Sequence, residues 1–408
     1  MARKKENVLT ELQGSIGYIL RHRSGIKILD KQIDRLKFGN KTLYLDNHVP
    51  ALIQDTFDNL GYEQRDGTKP VLAEKRKTDH GWHLIWNLPP GVSFAQVKKD
   101  KDFFQDSING SIELLWRHGK AHMNVYIGSF PEGEIPFEWN PEPYLLEKMN
   151  LPIPIGYHQR GIEVVDLAVI PHLLAGGATN WGKSNFLHTL IAALLKLQVI
   201  IVVIDHKRLD FGYLDGLCLL SKREHETLAI MEALNREMER RLDILEAAGA
   251  VKIQEYQGDM PYIVVIIDEL AECNSKEVME LIDRLARLAR GVGIHLVAAT
   301  QRPSTKVING DTRSNFTGRM CFQMSDETSS RVILGENCSA AAWLPAIQGR
   351  AIWKFGISER EVQTMYLPHT RAKELAKEMK GRSVGGWEVH VKPKPEPEHK
   401  TKRLKARQ

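Results

Sequence analysis

Residues 173–207, LLAGGATNWGKSNFLHTLIAALLKLQVIIVVIDHK, carry the reading that decides the fold. At their centre, Gly177-Ala178-Thr179-Asn180-Trp181-Gly182-Lys183-Ser184 fits G-x-x-x-x-G-K-[ST], a loop whose backbone cradles nucleotide phosphates. The pattern alone produces false matches, so its flanks matter. A short apolar strand at 173–175 precedes it and a helix at 183–195 follows, which aims the N–H groups of Gly176, Gly177 and Gly182 at a phosphate on a helix amino terminus. ATP or GTP is the expected ligand, with Lys183 neutralising phosphate charge and the Ser184 hydroxyl ligating Mg²⁺. Asn180 and Trp181 occupy the bend, where Asn tolerates left-handed dihedrals. Trp181 either stacks on a partner group or is a partly exposed side chain without a role.

Further along, YIVVIIDELAE (262–272) runs through five β-branched residues into Asp268 and Glu269. Two carboxylates at the carboxyl edge of a strand sit where α/β sheets bind ligands. Asp268 is expected to hold Mg²⁺ through water and Glu269 to polarise the attacking water as general base. In IHLVAATQRPS (294–304), Gln301 leaves a third strand, where a neutral amide senses phosphate or positions water.

Around these motifs, strands and helices alternate to about residue 370: strands at 173–175, 199–205, 262–268 and 294–300, helices at 183–195, 224–248 and 276–289. The strands are continuous Val/Ile runs, as parallel strands covered on both faces require. Upstream, residues 49–130 read as a small α+β domain, with a helix in VPALIQDTFDNLG, two strands in VLAEKRKT and WHLIWNL, one amphipathic helix in SFAQVKKDKDFFQDSI and a hairpin turning at His118-Gly119-Lys120. Between the two, 131–157 has a proline every few residues and reads as a linker without regular structure. The P-loop nucleotide-binding domain is expected at 158–385, a basic segment at 1–48 and an extended, disordered tail at 386–408.

The chain has 408 residues, 42% hydrophobic and 26% charged, which suits an ordinary globular protein of more than one domain. Its four cysteines, Cys218, Cys273, Cys321 and Cys338, lie far apart with no zinc spacing, pointing to a reducing compartment. The most apolar run, 186–204, is interrupted by His188, Lys196 and Gln198, so no transmembrane segment and no secretory signal is expected. The net charge of +5 is unevenly spread: residues 1–50 hold ten Lys and Arg against five Asp and Glu, and 391–408 hold seven against two. Basic ends on a mildly acidic body fit either a polyanionic partner or solubilising tails.

Taken in order, PHLLAGGATNWGKSNF, VVIDHKRLDF, EMERRLDILEAAGA, YIVVIIDELAE and LARLARGVGIHLVAATQRPSTKVINGDTRSNFTGRMCFQMSDETSSRVIL resemble the FtsK/SpoIIIE family of ring-forming, ATP-driven DNA translocases, over residues 160–355. The resemblance implies a RecA-like P-loop ATPase core, with a mostly parallel sheet and helices on both faces, and a homo-hexameric ring around duplex DNA. It matches Lys183, Ser184, Asp268, Glu269 and Gln301 to the family's nucleotide and hydrolytic positions. Arg319 matches an arginine finger reaching a neighbouring subunit, with Arg331 a second candidate. Lys306 and Arg313 fall in a segment resembling a channel-facing loop, which makes them phosphate-contact candidates against a reading as solvated surface charge. The tail's Lys402 and Arg403, with Lys400, Lys405 and Arg407, form a candidate DNA tether.

The membrane-spanning and winged-helix regions of FtsK proper are not apparent, and AAAWLPAIQGRAIWKFG looks more like relatives on conjugative plasmids and integrative elements. The expected role is therefore DNA transport in plasmid or element transfer or maintenance, on duplex DNA or a single strand, with a relaxase or a membrane-bound transfer partner. The expected location is the cytoplasm, or the membrane periphery through such a partner. Two alternatives stay open: a protein-secretion ATPase of the same superfamily, and a non-hydrolysing scaffold that uses ATP to assemble on DNA.

Overall fold

The structure is a computed structural model, and it describes residues 41–380 apart from 79–80, 109, 128–129, 132, 160, 198, 274, 305–307 and 309. The chain divides into two compact units, Met1–Ser129 and Phe130–Gln408.

In the first unit, α1 (Lys41–Asn59) leads into β1 (Val71–Thr78) and β2 (Gly81–Asn87), then α2 (Phe94–Lys99), α3 (Lys101–Ile108), β3 (Gly110–Arg117) and β4 (Lys120–Ile127). The strands form an antiparallel sheet of order β1-β2-β4-β3. Phe57 of α1 packs edge-on against Trp86 and Phe104, with ring centroids 5.0 and 4.8 Å away, which ties helices to sheet. The α+β reading matches these elements, with two differences. The first helix begins at Lys41 and runs through Pro50, although a proline usually marks a helix start. The segment expected as one helix breaks at Asp100, whose N–H turns back to Gln96 and Lys98 while its carboxylate accepts from the Tyr62 hydroxyl at 2.7 Å. Short Asp side chains bonded elsewhere in this way favour helix ends over interiors.

The second unit contains β5 (Ile135–Pro136), α4 (Glu142–Leu146), β6 (Pro152–His158), β7 (Gly161–Asp166), β8 (His172–Gly176), α5 (Lys183–Leu194), β9 (Val199–Ile204), β10 (Leu219–Ser221), α6 (Glu224–Ala247), β11 (Tyr262–Ile267), α7 (Lys276–Leu288) and β12 (Ile294–Thr300). It continues with α8 (Gly310–Asn315), β13 (Gly318–Phe322), α9 (Glu327–Leu334), β14 (Arg350–Phe355), β15 (Ser358–Gln363), β16 (Met365–Tyr366) and α10 (His369–Glu378). Ten strands form one sheet of order β10-β9-β11-β12-β8-β13-β14-β15-β6-β7. From β10 to β13 every pairing is parallel; from β13 to β7 every pairing is antiparallel. The sheet is thus mixed, with a parallel half that carries the P-loop and an antiparallel extension. Within its second half, β14 and β15 are joined by a two-residue turn at Gly356 (φ +58°), a connection so short that it can join only antiparallel neighbours.

Alternation within the continuous apolar strands explains the two-sided core. Val264 and Ile266 join a cluster with Phe186, Leu190 and Ile191 of α5, while Ile263, Val265 and Ile267 join the opposite cluster with Leu234 of α6, Ile282 of α7 and Ile333 of α9. The proline-rich stretch also departs from expectation, because it supplies β5, α4 and the buried strand β6. Pro152 and Pro154 are tolerated there because β6 meets β15 only at Tyr157, so on that side their missing N–H groups forfeit no ladder bond.

Buried histidines make this unit acid-sensitive. Burial holds the His172 imidazole down at about 3, with nearby His295 adding to the effect, and holds His295 at about 4. Both rings are neutral in the fold, whereas in the unfolded chain they take up protons as pH falls through about 6.5. No stability is lost above that pH; below it, each ring withdraws ~2 kcal/mol by pH 5. The urea midpoint should therefore drop between pH 7 and pH 5, less steeply in His172→Gln, and a flat profile in the wild type would contradict the assignment.

Candidate functional site

Four neighbouring strands, β9, β11, β12 and β8, end at one edge of the sheet and deliver the sequence motifs to one place. The loop after β8 is pinned from below: Gly177 N–H donates to Thr300 O at 3.3 Å and Ala178 N–H to Gln323 O at 3.1 Å. Asn180 has φ +70° and Gly182 φ +110°, so the bend uses the left-handed dihedrals expected of it. A side chain at Gly182 would put a Cβ 2.9 Å from Gly349 Cα, so only glycine fits between the two backbones. Trp181 packs on the apolar cluster that holds Phe186 and Phe322.

Lys183, the first residue of α5, is 3% exposed and donates its Nζ to Asp268 O at 2.8 Å and Asp268 Oδ1 at 3.2 Å. Glu269 is 7% exposed. Its Oε1 accepts from the Thr300 hydroxyl at 2.6 Å, and its two oxygens accept from Gln301 N–H at 3.2 and 3.0 Å. Gln301 Oε1 in turn accepts from the Thr179 hydroxyl at 3.2 Å, which closes the circuit back to the loop. Ala178, Thr179, Asn180, Gly182, Lys183, Ser184 and Gln301 line a cavity of about 370 Å³, within the range of small-molecule sites.

The structure also brings in residues that motif reading missed. Lys207 follows β9, and its Nζ stands 3.5 Å from Glu269 Oε2 and 3.9 Å from Asp268 Oδ2, a cation shared by both carboxylates. Its only signal in the sequence is a basic residue just past a strand end in VVIDHKRLDF. Arg350 is buried and forms a strut: Nε donates to Gln363 Oε1 at 3.0 Å, Nη1 to Glu361 at 2.6 Å and Nη2 to Pro131 O at 3.1 Å, with the guanidinium 4.0 Å over the Phe130 ring. Next to it, Gly349 N–H donates to Trp181 O at 3.0 Å and Gln348 Nε2 to Asn180 O at 3.1 Å, so the strut braces the wall that touches the loop.

Other candidates lie away from the cavity. Arg319, in β13, gives Nε to Phe316 O and Nη2 to Arg313 O, both at 3.1 Å; burial and the charge of Arg313 lower its pKa. Arg331 pairs with Glu327 along α9. Arg313 is largely turned inward, its Nη2 3.7 Å from Glu336 and its Nη1 3.5 Å from Val332 O. Lys306, Lys402 and Arg403 fall outside the described residues. Among the described residues, no helix is long and apolar enough to cross a membrane.

The chain is similar in sequence and fold to known proteins. The model of the FtsK/SpoIIIE family matches residues 139–260 and 255–305. The DNA translocase FtsK of Chlorobaculum tepidum is 36% identical over 219 residues, 47% of this chain and 27% of that protein. The DNA translocase FtsK of Chlamydia trachomatis is 32% identical over 325 residues, 70% of this chain and 39% of that protein. The chain therefore spans well under half the length of these curated relatives. In fold, it is similar to the pCW3 conjugation coupling protein TcpA, solved as a monomer with ATPγS, at a TM-score of 0.57 and 24% identity over 81% of this chain and 99% of that one. With its P-loop unit, its two-faced sheet and this run of matched sequence, the chain carries a domain of the FtsK/SpoIIIE family.

Proposed function

We propose that this chain is an ATP-hydrolysing motor that moves DNA, duplex in the first instance, as one subunit of a homo-hexameric ring. The observation that carries the reading is the convergence of Lys183, Asp268 and Glu269 at one sheet edge, with Glu269 held by Thr300 and Gln301 beside the cavity. Lys183 is buried and already donates to Asp268, so it is positioned to exchange that partner for a phosphate oxygen. Glu269 accepts the proton of the attacking water, and Gln301 orients that water from the cavity wall. Ser184 and Asp268 have the oxygen donors that suit Mg²⁺, which when bound neutralises charge on the phosphates.

In the ring, Arg319 serves the neighbouring subunit's phosphates, with Arg331 as the second choice. Both stand outside the chain's own cavity, which supports a role in trans. The basic tail, including Lys402 and Arg403, tethers DNA by its phosphates, and the segment of Lys306 and Arg313 serves separately as a channel-facing loop that contacts phosphates. The relatives' description as DNA translocases supports DNA as the track, and the fold shared with a conjugation coupling protein supports a place in element transfer.

The test is ATP turnover by the purified chain with no nucleic acid, with single-stranded DNA and with linear duplex. Duplex should raise the rate at least roughly tenfold, a transition-state gain of about 1.4 kcal/mol. Turnover indifferent to every DNA would favour the secretion-motor reading, and binding without turnover the scaffold reading.

A further inference from the structure

The cavity beside the phosphate loop is also lined by residues that no hydrolytic role uses. Gly133 and Glu134 line it from the segment before β5, and Gln363, Thr364, Met365 and Tyr366 from the end of β15 through β16. Both segments lie outside residues 139–305, so the family match says nothing of them.

The backbone here is held on every side. Met365 and Tyr366 pair in parallel with Ile135 and Pro136, and Phe137 N–H donates to Tyr366 O at 2.9 Å. Thr364 N–H donates to Gly349 O at 2.9 Å. Asn185, in the first turn of α5, clamps both backbone groups of Leu367, giving Nδ2 to its carbonyl at 2.8 Å and accepting its N–H at 3.3 Å. This clamp ties that part of the wall to the helix that begins with Lys183. Strand alternation then buries Met365 and Leu367 and leaves Tyr366, a residue of the cavity lining, 38% exposed.

A part-exposed aromatic residue on the wall of a phosphate site, its backbone held by strand pairing, is the chemistry that receives a flat heterocycle. We infer that Tyr366 is the platform on which the nucleotide's purine base stacks while the P-loop holds its phosphates; this rests on the nucleotide reading above. Tyr366 thereby sets preference for purine over pyrimidine triphosphates, since the larger base covers more of the ring.

Competition binding on the full chain with ATP, CTP and inorganic tripolyphosphate tests this. Tyr366→Ala should weaken ATP roughly tenfold, in line with aromatic–base stacking, narrow the preference for ATP over CTP, and leave tripolyphosphate unchanged; Tyr366→Phe should restore wild-type behaviour. ATP affinity untouched in Tyr366→Ala, or ATP and tripolyphosphate weakened alike, would overturn the platform while leaving the P-loop reading intact. A wild-type chain that binds neither ATP nor tripolyphosphate would instead overturn the P-loop reading, and the platform with it.

Discussion

Glu269→Gln should bind ATP close to normally yet hydrolyse it about 10²- to 10⁴-fold more slowly, the usual worth of a positioned general base. The substitution is mild in shape. Gln keeps an oxygen that can accept from the Thr300 hydroxyl and the Gln301 N–H, the contacts that hold Glu269 in place. It removes the negative charge, and with it the attraction of Lys207 and the capacity to take a proton from water. Lys183→Ala should fail differently, by losing affinity as well as rate, because its cation neutralises phosphate and its Nζ bridges to Asp268. Nucleotide binding and single-turnover hydrolysis measured on both variants separate the two failures. Full turnover in Glu269→Gln would remove it from the chemistry.

Arg350→Ala should lower stability by about 3 kcal/mol, because it strands the partners of a buried charge. The guanidinium is buried against Gln363, Glu361, Pro131 and the Phe130 ring; deleting it leaves Pro131 O and Gln363 Oε1 without these donors. Part of the cost is screened, since Glu361 reaches solvent. Urea unfolding gives the magnitude. Because Gly349 and Gln348 bond the phosphate loop beside this strut, ATP affinity should fall as well, and Arg350→Lys should not rescue it, since an ammonium cannot span three directions in a plane. A variant as stable as the wild type would show that the strut is dispensable.

How much could be read ahead depended on whether a feature was local. The strands that begin the motifs stood out because five β-branched residues in a row, as in 263–267, pack well only when buried on both faces. The left-handed bend at Asn180 was legible for the same reason, being a property of one residue type in one loop. The antiparallel half of the sheet was not, because PIPIGYH reads as a linker until β7 pairs along it and β15 meets it at Tyr157. The inward turn of Arg313 and the main-chain bonds of Arg319 were equally hidden, since an arginine's sequence position carries no record of its partners.

The sequence by itself determined the P-loop, the two carboxylates, the α/β class and the family resemblance, because each is written in contiguous residues whose spacing and chemistry suffice. Tertiary structure alone decided which strand ends are neighbours. Placing β9 beside β11 brings Lys207 to Asp268 and Glu269, and joining Arg350 to Pro131 closes a contact across 219 positions of chain. The same long-range closure brings Gly133, Glu134 and Tyr366 into the lining of the cavity that the phosphate loop also lines. Such contacts depend on the order and direction in which strands pair, which many distant side chains set together and no single stretch encodes.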